Sequence, residues 1–217
     1  KGWQGSYDYK SLGRHADYII VMAYDQSYLG GPAGPVASGP YVENSIIYAL
    51  ENVPKEKVVI GIPFYGRYWK DGSGYGGYGI SLKDIEELIS KYRGKVSYDW
   101  TFQSPKATIT IKSGDKKPVI FGNTLGAGTY TIWYENEQSI KYKLKLVQKY
   151  GIKGTGSWSL GQETESTWDY YKLWLNGWYF KDAQGHWAQD DILSMALKGL
   201  MTGVSDVSFK PEKQSYF

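Results

Sequence analysis

The chain has 217 residues, 41% hydrophobic and 22% charged, a globular composition with enough apolar material for a real core. A net charge of +3 without a dense basic run argues against a nucleic-acid partner, and no apolar stretch reaches membrane-spanning length. There is no cysteine, which removes disulfides and thiolate metal sites and leaves the redox compartment unread.

The opening Lys1–Ala16 reads as the tail of a preceding unit, with a short helix within Tyr7–His15. The chain starts at Lys1 with neither Met nor a signal-like segment, as an excerpt or processed product would. His15 has no metal-ligand partner at useful spacing and reads as an exposed or capping histidine. Tyr18–Met22 is an apolar run suited to a strand covered on both faces, as in a parallel sheet. Tyr24 and Asp25 then place a phenol and a carboxylate at the strand's end, before a Gly/Pro loop. Two readings fit them: a site at the C-terminal tip of a parallel strand, or an ordinary polar strand end.

Val42, Ile46 and Leu50 recur every four residues and predict a helix over Tyr41–Asn52, stopped by Pro54. Val58–Arg67 reads as a second buried strand, again with polar groups, Tyr65 and Arg67, at its end. Strand, helix and strand make a βαβ unit, normally right-handed and parallel. Tyr68–Trp133 then breaks the alternation with a small α+β insertion. It holds a Gly/Tyr loop, a helix at Ser81–Tyr92 with Ser81 as N-cap, and short strands near Lys95–Trp100, Ala107–Lys112 and Pro118–Gly122. Ser113–Lys117 reads as a hairpin turn between the last two of these strands.

Ser139–Tyr150 is a predicted helix with Ser139 as cap and Gly151 as stop. Ile152–Gly161 is a third strand with Trp158 toward its end, and Thr167–Trp178 is an aromatic-rich helix. The rest, Phe180–Phe217, is a separate segment with a helix near Gln189–Lys198. The expected domains are 1–67 and 134–179 for the main α/β unit, 68–133 for the insertion, and 180–217 for the final segment. Aromatic residues make up 17% of the chain, with 21 Tyr and 9 Trp. Flat rings with a polar edge suit amphipathic ligands such as sugars.

Three motifs occur in order: Met-Ala-Tyr-Asp at 22–25, Gly-Ile-Pro-Phe-Tyr-Gly-Arg at 61–67 and Gly-Ser-Trp-Ser-Leu-Gly at 156–161. Together they resemble the last three strands of the glycoside hydrolase family 18 barrel, over about Tyr7–Trp178. Within that family, Gly30–Ser38 and Pro54–Arg67 look most like bacterial spore-cortex and cell-wall enzymes. The resemblance implies an α/β fold, the C-terminal portion of a (β/α)8 barrel with the insertion after its second strand. It implies retaining, substrate-assisted cleavage of β-1,4 links in chitin or peptidoglycan glycan, with no metal and no organic cofactor. Tyr24 would hold the substrate's acetamido oxygen in line, and Asp25 would bind polar groups of the same sugar. Met22 would line the pocket floor, Tyr65 and Arg67 would bind neighbouring hydroxyls and carbonyls, and Trp158 would lie beneath the reacting sugar. A cis peptide at Trp158–Ser159 is also implied.

The family's Asp-x-x-Asp-x-Asp-x-Glu motif, which carries the proton-donating Glu, is absent from the chain. Glu135, Glu137 and Glu163 lie in segments that could approach a barrel mouth, but read as ordinary solvated carboxylates. A barrel of this kind takes ~250 residues, and only three of its strands are counted here. The chain alone is therefore expected to be inactive, and to associate with itself or with the missing barrel half. The alternative is a non-catalytic, chitinase-like lectin barrel.

The last segment resembles a surface-layer homology motif. Phe180-x-Asp182, Gly185-His186-Trp187-Ala188, Ile192, Gly199, Gly203 and Phe209-x-Pro211 carry the likeness, while the Thr-Arg-Ala-Glu element due near Ser215–Phe217 is missing. This implies a secreted, wall-associated bacterial protein whose C-terminal segment binds wall polymer, with His186 and Trp187 structural. The segment is too small to fold well alone and is expected to dock on neighbouring protein or to be one repeat of an array.

Overall fold

The computed structural model describes residues 7–177, 180–198, 200, 201, 203–205 and 208–212. The expectations for Trp178, Gly199 and Ser215–Phe217 lie outside the described residues.

A short helix, α1 (Tyr9–His15), leads into β1 (Ile19–Val21). It is followed by α2 (Gly39–Leu50), β2 (Val58–Pro63) and, much later in the chain, β10 (Gly154–Trp158). These strands form one parallel sheet in the order β1-β2-β10. One face of the sheet is fully covered. Val21, Val58 and Ile60 pack there against Val42, Ile46 and Ala49 of α2 and against Leu146 and Val147 of α4 (Glu137–Tyr150). This apolar stripe is what the four-residue repeat in the sequence encodes. The other face is open. Ile20 and Met22 are exposed, the latter at 66%, so the first strand is not covered on both sides.

The stretch Val58–Arg67 is two strands rather than one. After Pro63 the chain leaves the parallel sheet, and Phe64 N–H donates to the Trp158 carbonyl at 2.8 Å. It resumes as β3 (Tyr65–Lys70) in a second, antiparallel sheet. That sheet runs β4-β3-β9-β6-β5, from β4 (Tyr78–Ser81), β5 (Lys95–Asp99), β6 (Ser104–Ile111) and β9 (Gly128–Trp133). Helix α3 (Leu82–Tyr92) packs Ile85 and Leu88 onto it. Ser81 caps this helix as predicted, accepting from Asp84 N–H at 3.0 Å.

The predicted hairpin across Ser113–Lys117 does not form. β6 pairs with β5 and β9, while β7 (Val119–Ile120) pairs with β8 (Asn123–Thr124) as a separate ribbon. The β6–β9 ladder runs from Lys106↔Trp133 to Ile111↔Gly128, and it buries Ile109, Ile111 and Ile132. That apolar pairing outweighs the local turn.

Helix α4 begins two residues before Ser139, because Asn136 is the cap and Ser139 completes the capping box from inside. The aromatic-rich helix α5 (Thr167–Leu175) follows β10. Helix α6 (Gln189–Leu197) then packs back against α4, and Phe180, Ala183 and Ile192 share one core with Tyr170, Tyr171 and Trp174 of α5. The final segment thus joins the main core, which supplies the apolar surface that it lacks alone.

Candidate active site

The candidate residues gather at the C-terminal edge of the parallel sheet. β2 lies between β1 and β10, so the ends of β1 and β10 are about 10 Å apart at ordinary strand spacing. Gly61 of β2 and Gly156 of β10 are ladder partners, so their face carries no side chains at that level. The ring of Tyr24 fills the space. A Cβ on Gly61 would lie 2.7 Å from Tyr24 Cε1, which leaves glycine as the residue that fits. Trp158 lies two residues beyond Gly156 and therefore on the same open face. It is 59% exposed, and its peptide bond to Ser159 is cis, as the motif implies.

Asp25 is held in a left-handed conformation, φ +58°, one of the few non-glycine types that adopts it readily. Its Oδ1 accepts from Tyr65 Oη at 2.6 Å, and from Arg67 Nε and Nη2 at 3.1 and 2.7 Å. Its Oδ2 has no partner among the described residues. Arg67 is fixed further by donating from Nη1 to the Gly77 carbonyl at 2.6 Å. Burial, then the bond to Asp25, push the Tyr65 phenol far above its ordinary value, so it stays a donor. Burial and the nearby Asp25 charge raise Tyr24 too, so its hydroxyl is neutral at physiological pH. The rings of Tyr24 and Tyr65 meet edge to face, with centroids 6.3 Å apart.

All six sequence-predicted residues therefore lie at this one edge. Met22, beside them, is exposed rather than covered. Two supports escaped the sequence reading. Trp69 donates from Nε1 to the Gly31 carbonyl at 2.9 Å and pins the loop that follows Asp25. Gly77, at φ +84°, lets that loop approach so closely that a Cβ would lie 2.3 Å from the Tyr28 carbonyl oxygen. Tyr65, Arg67 and Trp69 recur every second residue, the signal that would have placed Trp69 on the same side of β3.

The three other carboxylates stand apart. Glu135 is not solvated: it is wholly buried, bonded through Oε2 to Lys143 Nζ and to Ser139 Oγ, both at 2.6 Å. Burial pushes its carboxyl up against the pull of Lys143. Glu137 pairs with Lys141 on α4 at 2.6 Å. Glu163 accepts from Gly161 N–H at 2.6 Å. Partial desolvation raises its carboxyl, but backbone donors and Trp168 outweigh this and hold it low, the wrong direction for a proton donor.

In the final segment, Asp182 accepts from Ser208 Oγ and from the N–H groups of Phe209 and Lys210 at 2.8, 2.8 and 2.6 Å. His186 meets Glu212 through Nε2 at 2.7 Å just before α6. Trp187, expected to be structural, is instead 89% exposed.

Residues 1–163 match the family described as Glycosyl hydrolases family 18, and residues 179–214 match the S-layer homology domain. An uncharacterized glycosylase, YvbX of Bacillus subtilis, is 31% identical over 166 residues, covering 76% of this chain and 44% of its own length. The cortical fragment-lytic enzyme of Bacillus anthracis is 28% identical over 168 residues, 75% of this chain and 36% of its own. A chitinase structure from Chromobacterium violaceum superposes with a TM-score of 0.66 at 33% identity, covering 78% of this chain and 49% of that one. The chain thus spans at most about half the length of these relatives. With three motifs on one sheet edge and three quarters of the chain matched, the protein belongs to glycosyl hydrolase family 18 and carries an S-layer homology domain at its C-terminal end.

Proposed function

We propose that this chain is the sugar-positioning, C-terminal part of a (β/α)8 hydrolase. The whole enzyme cleaves β-1,4 links beside N-acetylglucosamine in chitin or peptidoglycan glycan. The carrying observation is the Asp25 oxygen fixed by Tyr65 and Arg67, next to a neutral Tyr24 and an exposed Trp158 on the same edge.

In the reaction, a Glu outside this chain gives its proton to the glycosidic oxygen as the bond from that oxygen to C1 breaks. The acetamido carbonyl oxygen of the same sugar bonds to C1 and forms a cyclic oxazolinium. Water then adds to C1 as it gives a proton back to that Glu, the bond from C1 to the acetamido oxygen breaks and the ring opens, and two inversions leave the configuration retained. The Tyr24 hydroxyl donates to the acetamido group and holds it in line. The free Oδ2 of Asp25 accepts from the acetamido N–H. Trp158 stacks beneath the ring. Holding an internal nucleophile in place is worth up to ~7–11 kcal/mol of barrier at best.

The S-layer homology domain indicates association with the cell surface, and we assign its partner as a bacterial wall polymer. No described helix is long and apolar enough to cross a membrane.

The test uses a full-length barrel with its acidic Glu and a fluorogenic N-acetylchitotrioside. Tyr24→Phe lowers kcat about 10²-fold with little change in KM, as loss of alignment should. The present chain alone shows no rate above buffer. An unchanged kcat in Tyr24→Phe, or robust turnover by the chain alone, overturns the reading.

A further inference from the structure

We propose that the groove between the turn after β5 and the outer face of α4 is a second glycan-binding site, which stacks a sugar ring on Trp100. The proposal rests on the glycan substrate proposed above.

The turn is fixed from several sides. Asp99 Oδ1 accepts from the N–H groups of Thr101 and Phe102, both at 2.9 Å. Gln103 Nε2 donates to the Trp100 carbonyl at 2.7 Å, and the Phe102 carbonyl accepts from Gly39 N–H at 2.7 Å. The ring of Tyr98 meets Trp100 edge to face at 4.9 Å. Yet the indole that this turn presents is 69% exposed, and its N–H bonds nothing among the described residues. A ring held this firmly loses little freedom when a ligand stacks on it.

The groove beside it has a volume of about 540 Å³ and is lined by Gln103, Asn136, Gln138, Lys141 and Tyr142. That is within the range for a small ligand, here one or two sugar units. An aromatic face beside side-chain amides suits a ring with apolar C–H faces and polar hydroxyl and acetamido edges. Of the charged lining residues, Lys141 pairs with Glu137 at 2.6 Å and lies 4.6 Å over the ring of Trp174, and Lys145 lies 4.7 Å over the same ring.

The groove shares no lining residue with the cluster around Asp25. β5 is the edge strand, three places from β3, a lateral offset of about 14 Å at ordinary spacing. The same polymer would thus touch the protein twice, and the second contact raises its effective concentration at the cleft.

The experiment titrates the whole chain with tetra-N-acetylchitotetraose and follows the indole ¹⁵N–¹H signals of Trp100 and Trp158. Both signals are expected to shift. Trp100→Ala abolishes one binding step and leaves the Trp158 response within twofold. Gln138→Ala, an exposed helix position that leaves the turn intact, weakens the Trp100 step at least threefold. A shift of Trp158 alone, or an unchanged Trp100 step in Gln138→Ala, overturns the groove and leaves the cleft standing. A shift of Trp100 alone upholds the groove and overturns the cleft. No shift of either overturns both.

Discussion

At Asp25, one phenol and two guanidinium N–H groups converge on a single carboxylate oxygen and leave the other for a ligand. The same economy of partners recurs at Glu135, where the interior rather than a ligand sets the outcome. Glu135 and Lys143 are both fully buried and bonded at 2.6 Å. Removing one charge strands the other in a medium that solvates it poorly. Lys143→Met should cost roughly 3–5 kcal/mol in urea unfolding, and the double change with Glu135→Gln distinctly less. Equal losses in the single and double variants would contradict the pairing. The sequence exposed Asp25 because its neighbours form a motif, but it hid Glu135. A glutamate after Trp133-Tyr134 looks solvated until Ser139 and Lys143, four and eight residues on, are placed by the helix that follows. Helical spacing puts both on the side facing Glu135, and no local composition signals that.

Element by element, the helices were the legible part. α2, α3, α4 and α6 lie within two residues of their predicted starts, because caps and four-residue apolar repeats are local signals. Strand pairing was not legible, since partners are chosen across distance. The break at Phe64 and the pairing of β6 with β9 depend on which apolar rows can be buried together. The final segment illustrates a tertiary tie that sets an element's stability. Partial desolvation raises the Asp182 carboxyl, but the N–H groups of Phe209 and Lys210 and the Ser208 hydroxyl outweigh it, and the net shift is downward. A carboxyl depressed in the folded state contributes stability that is full above its unfolded value, near ~3.9, and is lost as pH falls through the folded value below it. The Phe209 and Lys210 amide signals should therefore keep their hydrogen-bonded shifts at pH 5 and lose them only below the ordinary aspartate range. In Asp182→Asn they should already be displaced at pH 5. Shifts that ignore both pH and the substitution would show that Asp182 does not hold these amides.

Over the whole molecule, the parallel sheet has one covered face and one open face. The open face carries Ile20, Met22, Tyr24 and Trp158, and the outer edge of β1 has no strand partner among the described residues. An unpaired edge beside exposed apolar side chains favours association. Light scattering should show mass rising with concentration, and Ile20→Lys should shift it toward monomer. A monomer at every concentration would count against this, and against the proposal that the sheet is part of a larger barrel. The contact proposed for this edge is with the acetamido group of a β-1,4-linked sugar. The direct measurement is calorimetric titration of the chain with tetra-N-acetylchitotetraose and with cellotetraose, which has the same backbone without acetamido groups. The first is expected to bind at least tenfold more tightly, and Trp158→Ala to weaken it by a similar factor, about 1.4 kcal/mol. Equal affinity for the two tetrasaccharides, or binding unmoved by Trp158→Ala, would contradict it.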